Sequence, residues 1–185
     1  MPYGQIQVDT VKDSLNNTFA PASELSKRFN EAFEYRNGEL YWKIDTNKSL
    51  KKKGKRAGCL STCSYGVVNL DGKSYSLHKV IFCMHHGWMP PIVDHINLVR
   101  DDHRIENLRA ATHVTNNYNK RVQKNNKIGL KNISWHKQNK KYFVQLMQNK
   151  KKIVSIFVED LELAELVAIE ARNKFHGEFA NHGGR

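Results

Sequence analysis

Residues 91–120 read PIVDHINLVRDDHRIENLRAATHVTNNYNK, and the order of patterns inside this stretch decides the fold of the chain's first part. Ile92-Val93-Asp94-His95-Ile96 is a short apolar run of strand character that ends in a polar loop carrying Arg100, Asp101, Asp102 and His103. Asn107-Leu108-Arg109-Ala110-Ala111 reads as the return strand. Thr112 is a good N-cap, so His113 to Lys120 is predicted to form a short helix behind the hairpin. The predicted order is strand, loop, strand, helix.

That order brings chemistry together. Asp94 near the end of the first strand and Asn116 on the first turns of the helix are two oxygen donors for one hard divalent ion, with water and phosphate oxygens completing an octahedron. Mg2+ is the expected ion and Mn2+ the alternative. Asn117 is the rival to Asn116, because it sits about 100° further round the helix and only one of the two can face an ion. His95 should face away from Asp94, since neighbouring strand residues point to opposite sides. With an ordinary pKa of about 6.5 it is largely neutral near pH 7 and can take a proton from water. Asn107, through its side-chain carbonyl or the loop it fixes, can hold the other ring nitrogen and so choose the tautomer. A cation on the phosphate would stabilise the leaving 3′ oxygen, so the set implies phosphodiester hydrolysis.

The segments VDHIN, RIENLRAAT and NNYN resemble the HNH endonuclease family in the variant whose last residue is Asn. The likeness extends upstream through Leu40 to Lys43, Gly54 to Gly58, Tyr65 to Leu70 and Gly72 to Lys79. The resemblance implies a ββα-metal fold with His95 as general base, Asp94 and Asn116 as metal ligands, and Asn107 orienting the histidine. His78 lies in the segment that opens a helix beside the family's site, as a packed or phosphate-contacting residue, and Arg109 is a further candidate for DNA contact. Where the family commonly reads Asn-Gly-Asp after the His-Ile pair, this chain has Asn97-Leu98-Val99-Arg100. His103 stands where asparagine is common, as a second base or a DNA contact.

Charge points to the same partner. From Asn107 to Val158 there are twelve Lys or Arg and no Asp or Glu, in a chain of net charge +12 and pI 9.6. The run is interleaved with Trp135, Tyr142, Phe143, Leu146 and Ile153, so it should fold rather than trail as a tail. A folded basic surface is the footprint of a polyanion binder. Neutralising about 6 phosphates would give a log–log salt slope near −5. A second basic run, Lys48 to Arg56, carries six.

Leu130 to His136 reads as a strand, Gln138 to Lys140 as a turn, Lys141 to Met147 as a second strand, and Lys150 to Val158 as a third after the turn at Gln148-Asn149. Asp160 caps a helix with an apolar stripe of Leu163, Leu166, Val167 and Ala171. Ile133, Val144, Leu146 and Val154 are core by default, and Trp135 is read as core rather than base-stacking. Ile133 to Lys137, Lys141 to Gln145 and Phe175 to Ala180 resemble the Apetala or ethylene-response-factor type of DNA-binding domain found on endonucleases of phages and mobile elements. That resemblance implies Lys131, Ser134, His136, Gln145 and Lys151 as DNA-facing positions.

The expected fold class is therefore α+β, a ββα-metal nuclease domain with upstream β-strands followed by a three-stranded antiparallel sheet packed on one helix. The expected boundaries are an N-terminal extension with a short helix at 1–35, the nuclease domain at 36–120, a basic linker at 121–127 and the DNA-binding domain at 128–185. The helix should cover Glu24 to Phe33 after the cap Ser23, and residues 1–22 carry no motif. Three cysteines, Cys59, Cys63 and Cys83, are an odd count without a signal peptide or long apolar segment, which argues for a reducing, cytoplasmic setting. Cys59 and Cys63 with His85 or His86 can be drawn as a zinc site, yet paired CxxC knuckles are missing. The expected function is a homing-type DNA endonuclease that nicks one strand of double-stranded DNA per site, working as a monomer with no protein or membrane partner. A silent DNA-binding regulator and a structure-selective or RNA-directed nuclease are the alternatives.

Overall fold

Leu25, Phe29 and Ala32 recur at intervals of three and four, the spacing that puts them on one face of a helix. In the computed structural model, which describes residues 22–45, 52–60 and 66–183, this segment is helix α1 (Ala22–Ala32), with Phe29 and Ala32 wholly buried. The helix begins before Ser23, expected as its cap, and ends before Phe33. Phe33 opens a strand instead, because it pairs with Trp42 and packs against its ring, tilted, at 4.7 Å. Cys63, Tyr65, Lys48 and Lys51 lie outside the described residues.

The chain divides into two units between Thr112 and His113. In the first, β1 (Phe33–Arg36) and β2 (Glu39–Trp42) form a hairpin, and β3 (Arg56–Ala57) adds to its edge. Asn37 and Gly38, at φ 45° and 90°, supply the two left-handed residues that a tight hairpin turn needs. A Cβ on Gly38 would lie 3.1 Å from the backbone nitrogen of Arg104, so this turn packs directly on the loop that precedes Asn107. A second antiparallel sheet has the order β4 (Cys59–Leu60), β5 (Gly66–Leu70), β6 (Lys73–Ser76). Helix α2 (Leu77–His86) follows and ends at Gly87 in the left-handed conformation. Val80, Ile81, Phe82 and Cys83 from α2 join Phe29, Phe33, Leu40, Trp42, Val68 and Leu70 in one core. Trp88 packs edge-on against Phe82, and Lys79 donates to the Pro91 carbonyl at 2.6 Å. These two contacts guide the chain from the helix into β7 (Ile92–His95).

Strand β7 pairs antiparallel with β8 (Leu108–Ala111), with Asp94 opposite Arg109 and His95 opposite Leu108. A 3-10 turn at Ile105–Asn107 precedes β8. Helix α3 (His113–Tyr118) comes directly after Thr112, so strand, strand and helix occur in the expected order, with the helix as the first element of the second unit.

The second unit is built on the sheet order β11 (Lys151–Val158), β10 (Lys141–Gln148), β9 (Ile133–His136), all antiparallel, with helix α4 (Leu161–His176) on one face. Asp160 caps α4, its carboxylate accepting from Leu163 N at 2.8 Å. Ile133, Val144 and Leu146 are buried. Two expectations change. The apolar stripe of α4 is not centred on Leu163 and Leu166, which are exposed, but on Ala164, Ala168 and Ala171. Small side chains at this spacing let the helix lie close to the sheet, and the leucines fall on the outer side. Trp135 is 46% exposed, because it sits on an edge strand with Tyr142 against one side of its ring and nothing of the core over the other.

Arg172 on α4 is 2% exposed and donates to the Lys131 carbonyl at 2.8 Å and to Asn132 Oδ1 at 3.3 Å. Asn132 holds the left-handed conformation that turns the chain into β9. A buried cation's hydrogen bonds contribute about 1.5–3 kcal/mol each when satisfied. Arg172→Ala is expected to lower the stability of the protein by about 2 kcal/mol or more, read as a shifted urea midpoint; an unchanged midpoint contradicts this role.

Candidate active site

Three elements deliver imidazoles to one place in the first unit. His78 comes from the first turn of α2, His95 from the end of β7, and His103 from the loop that returns to β8. All three are at most 8% exposed. His95 Nε2 lies 3.1 Å from His103 Nδ1, and the His78 ring is centred 5.2 Å from that of His95. One ligand nitrogen from each ring lies within 4.8 Å of the other two.

The loop that carries His103 is closed by Asn107. Its Oδ1 accepts from Asn97 N at 3.0 Å, and its Nδ2 donates to Asn97 Oδ1 at 2.9 Å and to the Asp102 carbonyl at 2.8 Å. Asn107 thus fixes the loop, and His103 from that loop meets the His95 ring. Asp102 adds a bidentate pair with Arg104, and Tyr35 OH accepts from Ile105 N at 3.1 Å. The arginine beside Asp102 holds its carboxyl well below the usual carboxylate range. Leu98 takes a left-handed φ of 62°.

Burial sets the protonation of the cluster. It pushes His95 down to about 4, with the positive charge that His103 would carry acting in the same direction. Burial likewise pushes His78 down to about 3, helped by His95, His103 and Lys79, and lowers His103. His95 is thus a neutral acceptor across the whole physiological range.

Asp94 is 6% exposed, and its Oδ2 accepts from Arg109 Nε at 3.0 Å and Nη2 at 2.8 Å. The cross-strand register makes this pair: the guanidinium of Arg109, a candidate for DNA contact, is engaged by Asp94, with the side chain 12% exposed. His78, expected as a packed or phosphate-contacting residue, is buried beside His95, because α2 packs on the core through that face. As a hard oxygen donor Asp94 suits a Mg2+-class ion, whereas the three imidazoles do not. Asn116 and Asn117 lie on α3 in the second unit, the former half-buried and the latter exposed.

In the second unit the sheet register sorts the remaining candidates. Paired residues share a face, so Ser134 and His136 stand with Phe143, Lys141 and Gln145 on the side away from α4. His136 and Phe143 both contact the exposed Phe157 ring there, at 5.1 Å and 4.9 Å. A register shift at Leu146/Met147 places Lys151 opposite Gln148, whose amide reaches the α4 carbonyl of Phe175. Lys151 is therefore on the helix side, and Lys152, opposite Met147, takes the open face. The ammonium of Lys131, another DNA-facing candidate, donates to the Tyr118 and Lys120 carbonyls at the end of α3, and burial pushes it down to about 8. Local turn geometry, not charge, uses this lysine.

Cys59 is exposed and Cys83 is buried, its thiol pushed up to about 11 by burial. Cys63 lies outside the described residues. Among the described residues, the side chains that converge as metal-ligand candidates are the three histidines and not Cys59 with His85 or His86. No helix among them is long and apolar enough to cross a membrane.

Residues 75–118 match the family model described as HNH endonuclease. This span contains His78, Asp94, His95, His103, Asn107 and Asn116, and it supports a nuclease of that family acting on DNA. No curated protein and no solved structure matches the chain.

The buried histidines make stability depend on pH with a definite sign. The unfolded chain takes up protons near 6.5, whereas folded His78 and His95 resist protonation down to about 3 and about 4. Stability contributed by their neutrality is complete above pH 6.5 and is lost as pH falls towards those values, by up to about 1.4 kcal/mol per pH unit for each histidine. Urea midpoints measured from pH 7.5 to 5 are expected to fall, and His78→Gln to flatten the slope. A midpoint independent of pH over this range contradicts buried neutral imidazoles.

Proposed function

We propose that this chain is a metal-dependent DNA endonuclease of the homing type that nicks one strand per active site. The observation that carries the reading is His95: a neutral, buried imidazole at the end of a β-hairpin, next in sequence to Asp94, inside the span that matches HNH endonucleases. Its role is to accept the proton of the attacking water. Asn107 positions it by pinning the 97–102 loop, and Asp94 with Asn116 would hold a divalent ion of the Mg2+ class, Mn2+ being the alternative. Such an ion supplies Lewis-acid stabilisation of the leaving oxygen when bound. Arg109 neutralises the Asp94 carboxylate within the protein, so a cation competes with this guanidinium for it.

The second unit is proposed to hold the DNA. Fourteen Lys or Arg against six Asp or Glu lie between His113 and Arg185, and the open sheet face offers Ser134, His136, Gln145 and Lys152 beside Phe143 and Phe157. Phosphate attraction gives affinity, and an exposed sheet can enter a major groove. The likeness to an Apetala-type domain supports this face as the DNA side.

The Asp94–Arg109 pair also favours a second reading. A DNA-binding protein without nuclease activity would have no need to free that carboxylate. Supercoiled plasmid incubated with Mg2+, Mn2+ or chelator separates the two. Wild type is expected to yield open circles only with metal, and His95→Ala to lose at least about 100-fold. Equal nicking by both proteins, or binding without nicking under every metal, discards the endonuclease proposal. Asn116→Ala should raise the metal concentration required while DNA binding survives. Lys152→Ala should weaken binding and flatten its salt dependence by about one phosphate.

A further inference from the structure

The cluster of His78, His95 and His103 contains more than general base catalysis needs. We propose that these three histidines form a binding site for a borderline-soft divalent transition ion of the zinc class. The site is separate from the hard-cation position at Asp94, and its occupancy silences the nuclease by engaging the lone pair of His95.

The binding half of the proposal stands on geometry. Two nitrogens on one tetrahedral zinc are about 3.3 Å apart, and His95 Nε2 and His103 Nδ1 already stand 3.1 Å apart. The third imidazole, with its ligand atom within 4.8 Å of both, needs only a side-chain adjustment to complete a three-nitrogen set. The rings come from a helix, a strand end and a loop that Asn107 ties down, so the set is held by three independent supports. The His95 and His103 rings share a hydrogen bond whose direction depends on the tautomer, and metal binding there places the donor ring's proton on its other nitrogen. No charge is created or lost on the protein. Nitrogen donors favour zinc-class ions, whereas Mg2+ keeps its water and prefers oxygen. An entry route exists as well. His103 borders a cleft of about 690 Å3 that is also lined by Arg36, Gly38, Arg56, Asp101 and Asp102. Asp101 is exposed there, and its charge acts on both His95 and His103.

The silencing half rests on the reading of His95 as the base. A lone pair bound to a metal cannot accept a proton from water. His103 is what converts a base with a neighbour into a chelating set.

The test uses the full, untagged chain and Co2+ as the optical probe. Wild type is expected to bind one equivalent with a visible band typical of low-coordinate nitrogen ligation, displaced by Zn2+ and not by a large excess of Mg2+. Ring-nitrogen NMR of the wild-type protein should show the signals of His78, His95 and His103 shifting on Zn2+ addition. His103→Asn and His78→Gln should each weaken Co2+ binding by more than about 100-fold, beyond what loss of an outer-shell contact gives. Asp94→Ala and the Cys59→Ser/Cys63→Ser double variant should retain it. In the plasmid assay with Mg2+, one equivalent of Zn2+ should stop nicking by wild type. Absence of the Co2+ band, ring signals that stay in place, or equal binding by His103→Asn overturns the site. Zn2+ bound at the three rings with nicking undiminished overturns the silencing. Binding at the rings in a protein that nicks under no metal leaves the site standing and defeats the nuclease reading instead.

Discussion

The side-chain amide of Asn107 is the constraint on which the candidate site depends. An amide is the one uncharged side chain able to accept with one atom and donate twice with the other, and here it does both, closing residues 97–102 against the start of β8. That closure helps return His103 towards the end of β7, where its ring meets His95. Tyr35 and the Gly38 turn support the same loop from the N-terminal hairpin. The upstream strands thus serve as a buttress for the hairpin that carries the candidate site. Residue 98 takes a left-handed backbone that leucine does not favour, a local cost the hydrogen-bonded loop sustains.

Electrostatics divides the site into two chemistries on the two sides of one strand. On one side Asp94 is an oxygen donor paired with Arg109; on the other, burial lowers the pKa of all three imidazoles. Neighbouring strand residues point in opposite directions, so the sequence Asp-His places an oxygen site and a nitrogen site back to back. A hard ion and a softer one would therefore not compete for the same ligands.

The second unit solves a different problem. It carries most of the chain's net positive charge, fourteen Lys or Arg against six Asp or Glu, yet must still close a core, and it does so with alanines under α4 and one buried arginine that ties the helix to the turn before β9. The sheet's other face is left with polar, basic and aromatic groups, and a single shift in register decides which of two adjacent lysines joins it.

Much of this was legible in the chain itself. The strand-loop-strand order around Asp94 and His95, the three strands after Leu130, the Asp160 cap and the basic stretch all follow from local periodicity, turn residues and charge, which act over a few neighbours in sequence. What local pattern could not give were contacts between distant residues. The pairing of Arg109 with Asp94 follows from cross-strand register, the burial of His78 from the packing of α2, and the use of Lys131 as a cap from the end of a helix eleven or more residues away. Trp135 and the outer leucines of α4 read as core because hydrophobicity alone names no direction; the angle of a helix over a sheet edge does. The sequence by itself determined which residue types would be present and in what order of strand and helix. Tertiary structure alone decided which of them meet, because that depends on register and packing between segments that no local rule connects.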